Sequence, residues 1–273
     1  MRSPTRVDSL SDNHLLPPDG TARAGGSRII WLATGMLLVS ACAVAAGLYY
    51  MRQEALRTGE RLNQSLAHVI EEQTSRTLQT TDQRLLLALS QLKTLRAART
   101  LNEASARELL RDQIRDLPFV RAIWVLDAQG LIQYDSDEGN IGLPLQDREY
   151  FQAYRNRPGL GLHVSAPVRS RTTGSWLTTA SRPIRGADGA LEGVIAAAVE
   201  APYFEQLWRG IDLGAEGAVA LFRRDGVLMM RSPHDEQSVG KVFTSLPLFT
   251  EHLERGPTGT YATRSTFDGI DRI

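Results

Sequence analysis

The sequence predicts an α+β protein carried on one transmembrane helix, with a long helix leading into antiparallel-sheet modules, and three observations predict it. Residues 29–51 read IIWLATGMLLVSACAVAAGLYYM, a run without a charged side chain. From Arg52 to about Arg99 there is no proline, and leucines recur at helical spacing. Beyond Pro118 the period changes to short β-branched and apolar runs broken by glycine-containing turns.

The apolar run is long enough to cross a bilayer, which takes roughly 20 residues at a rise of about 1.5 Å each. Trp31 lies at one end and Tyr49 and Tyr50 at the other, where amphipathic rings favour the headgroup level. Residues 1–28 form a Pro/Gly/Ser-rich tail with Arg2, Arg6, Arg23 and Arg28, which is expected to be disordered and cytoplasmic, leaving the rest outside. One alternative competes. Val39-Ser40-Ala41-Cys42 resembles a lipidation box, and acylation of Cys42 would make a periplasmic ligand-binding lipoprotein. The apolar run continues past that point to Met51, which favours an uncleaved anchor over residues 29–51.

Leu62, Leu66, Val69, Leu78, Leu85, Leu89 and Leu92 give the long helix an apolar stripe. A second helix is expected over Ser105 to Leu117, with Leu109, Leu110 and Ile114 on one face and Pro118 as its stop, so that residues 52–117 form the helical part. Strands are expected next at VRAIWVLD and LIQYDS, joined through Gly130, then at LHVSAPV, SWLTTASRPI and LEGVIAAAVE. The last two are joined through Asp188-Gly189, a strong tight-turn signal. A short helix is expected over Pro202 to Trp208. The hairpin GAVALFRR and VLMMRS, turning at Asp225-Gly226, then repeats the pattern of residues 120–135. The chain therefore reads as one complete module over 118–208 and an incomplete second one over 209–273, with no strand recognisable after Asp268-Gly269.

The charges exclude some functions. Thirty-one basic residues balance 31 acidic ones, and no basic patch is interleaved with aromatics, so no nucleic-acid partner is expected. Cys42 is the one cysteine, which rules out an internal disulfide. The five histidines are scattered without ligand spacing, and no nucleophile elbow, phosphate loop or paired-carboxylate signature occurs, so no metal, cofactor or catalytic residue is expected.

WVLDAQG, GNIGLPLQDREYFQAY, HVSAPVRSRTTGSW, ASRPIRGADGALEGVIAAAV and PYFEQLW succeed one another in the first module, and LFRRDGVLMMRSP opens the second. In that order and spacing they resemble the double Cache extracytoplasmic sensor domains, two PAS-like modules on a long membrane-proximal helix. Such domains serve bacterial chemoreceptors, histidine kinases and diguanylate cyclases. The resemblance spans residues 52–273 and implies a small-molecule sensor of a membrane receptor. The receptor is expected to be a homodimer in the bacterial inner membrane, with its output domain absent from this chain and no enzymatic activity here.

The resemblance further implies a ligand in the membrane-distal module, beside the Asp-Arg-x-Tyr-Phe segment. Asp147, Arg148 and Tyr150 fall on that segment and Arg182 on the Ser-Arg of a neighbouring strand; Trp176 sits in a strand run, with core packing as its first reading and ligand contact as its second. Arginine offers a planar fork to a carboxylate, and tyrosine adds a ring wall and a hydroxyl. The family's amino-acid receptors use an acid at the place of Ala198 to meet the ligand's ammonium group. Its absence favours an organic anion, although Asp135, Asp137 and Glu200 lie close by in sequence.

Overall fold

The computed structural model describes residues 22–211, 213–214 and 216–272; most of the expected cytoplasmic tail lies outside the described residues. The chain divides into two compact units, Met1–Arg61 and Leu62–Ile273.

In the first unit, helix α1 (Ala22–Ala97) carries the apolar run. The large hydrophobic side chains from Ile29 to Met51 are 61–76% exposed, a surface that water penalises and lipid accepts. The helix satisfies its own backbone. Thr34 Oγ1 donates to Ile30 O at 2.8 Å, so the hydroxyl is satisfied inside the helix as well.

In the second unit, the remainder of α1 and helix α2 (Glu103–Ile114) cover one face of a six-stranded antiparallel sheet. Its strands are β1 (Val120–Asp127), β2 (Ile132–Asp135), β3 (His163–Val164), β4 (Val168–Arg169), β5 (Trp176–Arg185) and β6 (Leu191–Glu200). The order is β2-β1-β6-β5-β3, with β4 also paired to β5. Helix α3 (Glu149–Asn156) covers the opposite face. Burial on both faces explains why β6 reads as a continuous apolar run. Ile195 and Ala197 pack toward α1 and α2, while Val194, Ala196 and Ala198 pack toward α3.

Several boundaries differ from the sequence expectation for local reasons. Helix α2 starts at Glu103, before Ser105, because Asn102 caps it: Asn102 Oδ1 accepts from Ser105 N at 2.9 Å, and Ser105 Oγ accepts from Asn102 N at 3.0 Å. LHVSAPV forms two short strands, interrupted at Pro167, which has no N–H to give to a ladder.

Helix α4 (Ala201–Arg209) then leads into a smaller hairpin, β7 (Val219–Phe222) and β8 (Leu228–Ser232). The polar turn at Asp268-Gly269 runs into a short strand: β10 (Asp271–Arg272) pairs with β9 (Thr263–Arg264).

The two modules repeat one loop construction. In the first, Leu145 N donates to Gly130 O at 2.8 Å and Ile132 N to Leu143 O at 3.1 Å; in the second, Phe243 N donates to Gly226 O at 2.8 Å and Leu228 N to Lys241 O at 2.9 Å. Gly130 has φ +82°, and a Cβ there would lie 2.6 Å from Gln146 Cβ, so the loop approaches the hairpin as closely as only glycine permits. Beyond the loops the two modules diverge. The first continues as Asp147-Arg148-Glu149-Tyr150, the second as Ser245-Leu246-Pro247-Leu248.

Candidate functional site

The Gly130 contact delivers Arg148 to the N-cap of α3 and Tyr150 to its first turn. Together with β1, β2 and the β4–β5 loop, these residues wall a cavity between the sheet and α3. Its volume is about 60 Å³, enough to admit ordered water, and it opens to solvent on one side.

Arg148 and Tyr150 both line this cavity. Arg148 Nη2 donates to Arg169 O at 3.2 Å, and among the described residues no carboxylate lies within ion-pairing distance of it. Tyr150 is 2% exposed and meets Trp124 edge to face at 6.1 Å between ring centres. Burial pushes its hydroxyl well above the ordinary tyrosine value, so it enters the site as a neutral donor and acceptor.

The other three expected residues are placed elsewhere. Arg182 makes a two-pronged pair with Asp82 on α1, with Nη2 to Oδ2 at 2.8 Å, and does not line the cavity. Asp147 is committed to Arg171, 2.5 Å away, whose guanidinium holds its carboxyl below the usual range. Trp176 lies under Arg169, whose guanidinium carbon is 5.0 Å from the ring centre, so it steadies a lining residue from behind.

The wall also contains Arg121, Trp124, Asp135, Asn140 and Arg171. Trp124 is 7% exposed, and its buried Nε1 lies on the side of the Tyr150 hydroxyl. Arg121 Nη1 donates to Asp137 at 2.7 Å, while its Nε has no hydrogen-bond partner. Arg171 Nη1 donates to Pro144 O at 2.6 Å, anchoring the β4–β5 loop across the mouth.

Asp135 is the unexpected member. Ala198, the position where an acid was sought, is fully buried in the core beneath the cavity, and the carboxylate in the wall comes from β2 instead. A β-bulge brings it there. Leu126 pairs with Ile132 and Val125 with Tyr134, so Gln133 is the extra residue, and Trp124 then pairs with Asp135. Strict alternation would put Asp135 on the face opposite Ile132; the bulge turns both toward the cavity side.

The geometry is that of a binding site. Within the described residues no cluster of His, Cys, Asp and Glu could hold a metal ion. A cavity open on one side, a guanidinium in its wall without a carboxylate partner among the described residues, and an antiparallel sheet on a long helix are the features of a ligand-binding sensor domain.

Comparisons with known proteins agree. A family model described as a histidine kinase sensor domain of the dCache_1-like type matches residues 201–273. The extracellular domain of rpHK1S-Z16, a protein assigned as a histidine kinase, is 30% identical over 76% of this chain and 84% of its own, with a TM-score of 0.67. The ligand-binding domain of the Pseudomonas fluorescens chemoreceptor CtaA, in complex with L-isoleucine, shares the fold at 17% identity and a TM-score of 0.56, over 81% of this chain and 86% of its own. The periplasmic sensory domain of the Campylobacter jejuni chemoreceptor Tlp1 does so at 13% identity and a TM-score of 0.51, over 69% and 77%. No curated protein sequence matches the chain. The chain belongs to the double Cache family of sensor domains found in histidine kinases and chemoreceptors.

Proposed function

We propose that this chain is the anchor and sensor of a single-pass or two-pass inner-membrane receptor, and that it captures a small organic anion in the cavity of its first module. The observation that carries the reading is Arg148: a half-buried guanidinium in a cavity wall, without a carboxylate partner among the described residues. A buried charge costs free energy unless paired, and a bound carboxylate would pair it with two parallel hydrogen bonds. Tyr150 and Trp124 supply apolar rings and polar tips beside it.

In this reading residues 118–208 are the membrane-distal, ligand-binding module and 209–273 the membrane-proximal one. The second module has Leu246 and Leu248 in the loop positions of Arg148 and Tyr150, so its loop does not repeat that guanidinium and phenol. The N-terminus is cytoplasmic, the sensor lies outside, and the receptor works as a homodimer whose output is a histidine kinase, diguanylate cyclase or methyl-accepting domain. Ligand binding acts on output by its different affinity for two receptor states.

The test is thermal unfolding of the full chain in detergent micelles against small carboxylates. Binding to the folded state alone raises stability by RT ln(1 + [L]/Kd), about 2.7 kcal/mol at a hundred-fold excess over Kd. A carboxylate-dependent rise in Tm that Arg148→Ala removes supports the reading. A rise produced only by cationic amines sinks it.

A further inference from the structure

Helix α1 is tied to the first module over residues 82–92. Asp82 takes the fork of Arg182 from β5, with Nη2 to Oδ2 at 2.8 Å. Arg84 Nη2 reaches Asp116 at 2.5 Å, and Gln113 Nε2 of α2 donates to Gln91 Oε1 at 2.9 Å. Among these ties Leu85, Ala88 and Leu92 are buried in the core that α1 shares with α2 and the sheet.

Over residues 65–81 the pattern reverses. Among the described residues, none of the hydrogen bonds or ion pairs of this stretch leaves the helix. Thr74, Thr77 and Thr81 continue the line of Leu85, Ala88 and Leu92 at helical spacing, and they are 8%, 8% and 1% exposed. Their hydroxyls turn inward: each donates to the carbonyl four residues back, Ile70 O at 2.7 Å, Gln73 O at 2.9 Å and Thr77 O at 2.8 Å. Gln73 Oε1 is buried with no hydrogen-bond partner. The stretch still lies against the sensor, since Ile70 packs on the core of α4 and the β7–β8 hairpin. Packed helices shift by small sliding, and a contact that no directional bond crosses resists it least.

We infer that α1 is a two-part transmission element, clamped to the first module over residues 82–92 and able to slide or bend against the sensor over residues 70–81. The clamp has a short route to the cavity. Tyr154 of α3, the helix that covers the cavity, donates its hydroxyl to Ser181 O, and the next residue on β5 is Arg182, whose fork holds Asp82. A shift of α3 is thus carried through β5 into the helix that also bears residues 29–51. The inference rests on the receptor reading above, which gives α1 a signal to carry, whereas the clamp and the slip stretch are present without a ligand.

The experiment is pulsed electron-electron spin resonance on the full, ligand-free chain in detergent micelles, with Cys42→Ser to remove the native thiol. One label sits at Ala128→Cys in the β1–β2 turn, and the other at Ser75→Cys or Ser90→Cys, both on exposed positions of α1. The expected distance distribution to Ser75 is at least two-fold broader than that to Ser90. Thr74→Val, Thr77→Val and Thr81→Val together keep the side-chain shape and exchange hydroxyl for methyl, and should narrow the Ser75 distribution toward the other. Asp82→Ala with Arg84→Ala should broaden the Ser90 distribution at least two-fold; if that variant folds poorly, Arg182→Lys, which keeps the charge and loses the fork, takes its place. Equal widths in the unmodified chain overturn the inference, as does a Ser75 width that the valines leave unchanged or a Ser90 width indifferent to loss of the clamp. No ligand enters these measurements, so a chain that binds no carboxylate would sink the proposed anion capture and leave the clamp and slip stretch to be judged on their widths.

Discussion

Glu149 Oε1 accepts a hydrogen bond from Arg223 Nη1 at 2.6 Å, tying the first turn of α3 to the end of β7, 74 residues further along the chain. The same carboxylate accepts from Ala166 N at 2.8 Å through Oε2, and His163 Nε2 sits 3.2 Å from Oε1 in a contact that is not an aligned hydrogen bond. Arg223 also donates to Val164 O at 3.2 Å and is gripped by Asp225 at 2.7 Å. Glu149 lies between Arg148 and Tyr150, so the residue that binds the second module is flanked by two that wall the cavity. Arg169 makes a second bridge of this kind, lining the cavity and reaching Glu236.

Removing Arg223 should therefore uncouple the modules as well as weaken them. Arg223→Ala leaves Glu149 with the Ala166 N–H and the His163 contact, and should cost about 1–2 kcal/mol in urea unfolding. A double-mutant cycle with Glu149→Gln should return a coupling of about 1 kcal/mol, since the pair is only partly buried and solvent screens part of it. Additive effects would show that the bridge is decorative.

Acid should act on the same carboxylate. Burial tends to raise the Glu149 value, but the approach of His163, the Ala166 N–H and Arg223 outweigh it and hold the carboxyl at about 2, against an ordinary 4.5. Between those two values the unfolded chain binds a proton that the folded chain refuses, so the stabilisation is complete above pH 4.5 and is lost as pH falls toward 2. Urea midpoints measured from pH 6 to pH 3 should fall less steeply in Glu149→Gln than in the unmodified chain. Parallel slopes would place the acid sensitivity elsewhere.

Asp135 should show the opposite linkage. Burial pushes its carboxyl up, against the pull of the Asp137 N–H and the Asn140 amide. A raised acid disfavours the folded state once pH exceeds its unfolded value of 3.8, so Asp135→Asn, which keeps an acceptor for Asp137 N, should raise the ligand-free Tm at pH 7. A lower Tm would mean that the charge itself supports the fold.

What could be read from the sequence divides along physical lines. The anchor, the Gly130 and Gly226 hairpins and the doubly buried β6 depend on local composition and period, and they are legible. Arg148 and Tyr150 are reached only by resemblance, because an Arg-Glu-Tyr run at a helix start has no spacing that marks a ligand. Arg182 is misplaced because its partner, Asp82, is 100 residues away on another element, and sequence cannot tell a paired guanidinium from an open one. Asp135 is hidden by the bulge at Gln133, which reverses the side-chain alternation that a sequence reading assumes.

Arg182 yields a direct check on that distinction. Its fork on Asp82 ties β5 to α1, with side chains 25% and 19% exposed. Arg182→Ala should destabilise the chain by about 1–3 kcal/mol, because it strands a mostly buried carboxylate, yet carboxylate affinity should stay within about two-fold. A large loss of affinity without loss of stability would return Arg182 to the site.

Gly130 tests how the cavity loop is held. A side chain there meets two obstacles: φ is +82°, and the new Cβ would lie 2.6 Å from Gln146 Cβ and 2.7 Å from Gln146 Cα. Gly139 shares only the first, with φ +79° and nothing within 4 Å of a built Cβ. Gly139→Ala should thus cost about 1–2 kcal/mol, the usual penalty of left-handed backbone for an L residue. Gly130→Ala adds a clash against backbone that no rotamer change relieves, so residues 144–148 must move away from the hairpin, and Arg148 with them. The expected outcome is a larger fall in Tm than for Gly139→Ala, together with a loss of carboxylate affinity of ten-fold or more that Gly139→Ala does not show. Equal stability losses and unchanged affinity in both would mean that the loop, and the guanidinium it carries, is positioned by something other than its contact with Gly130.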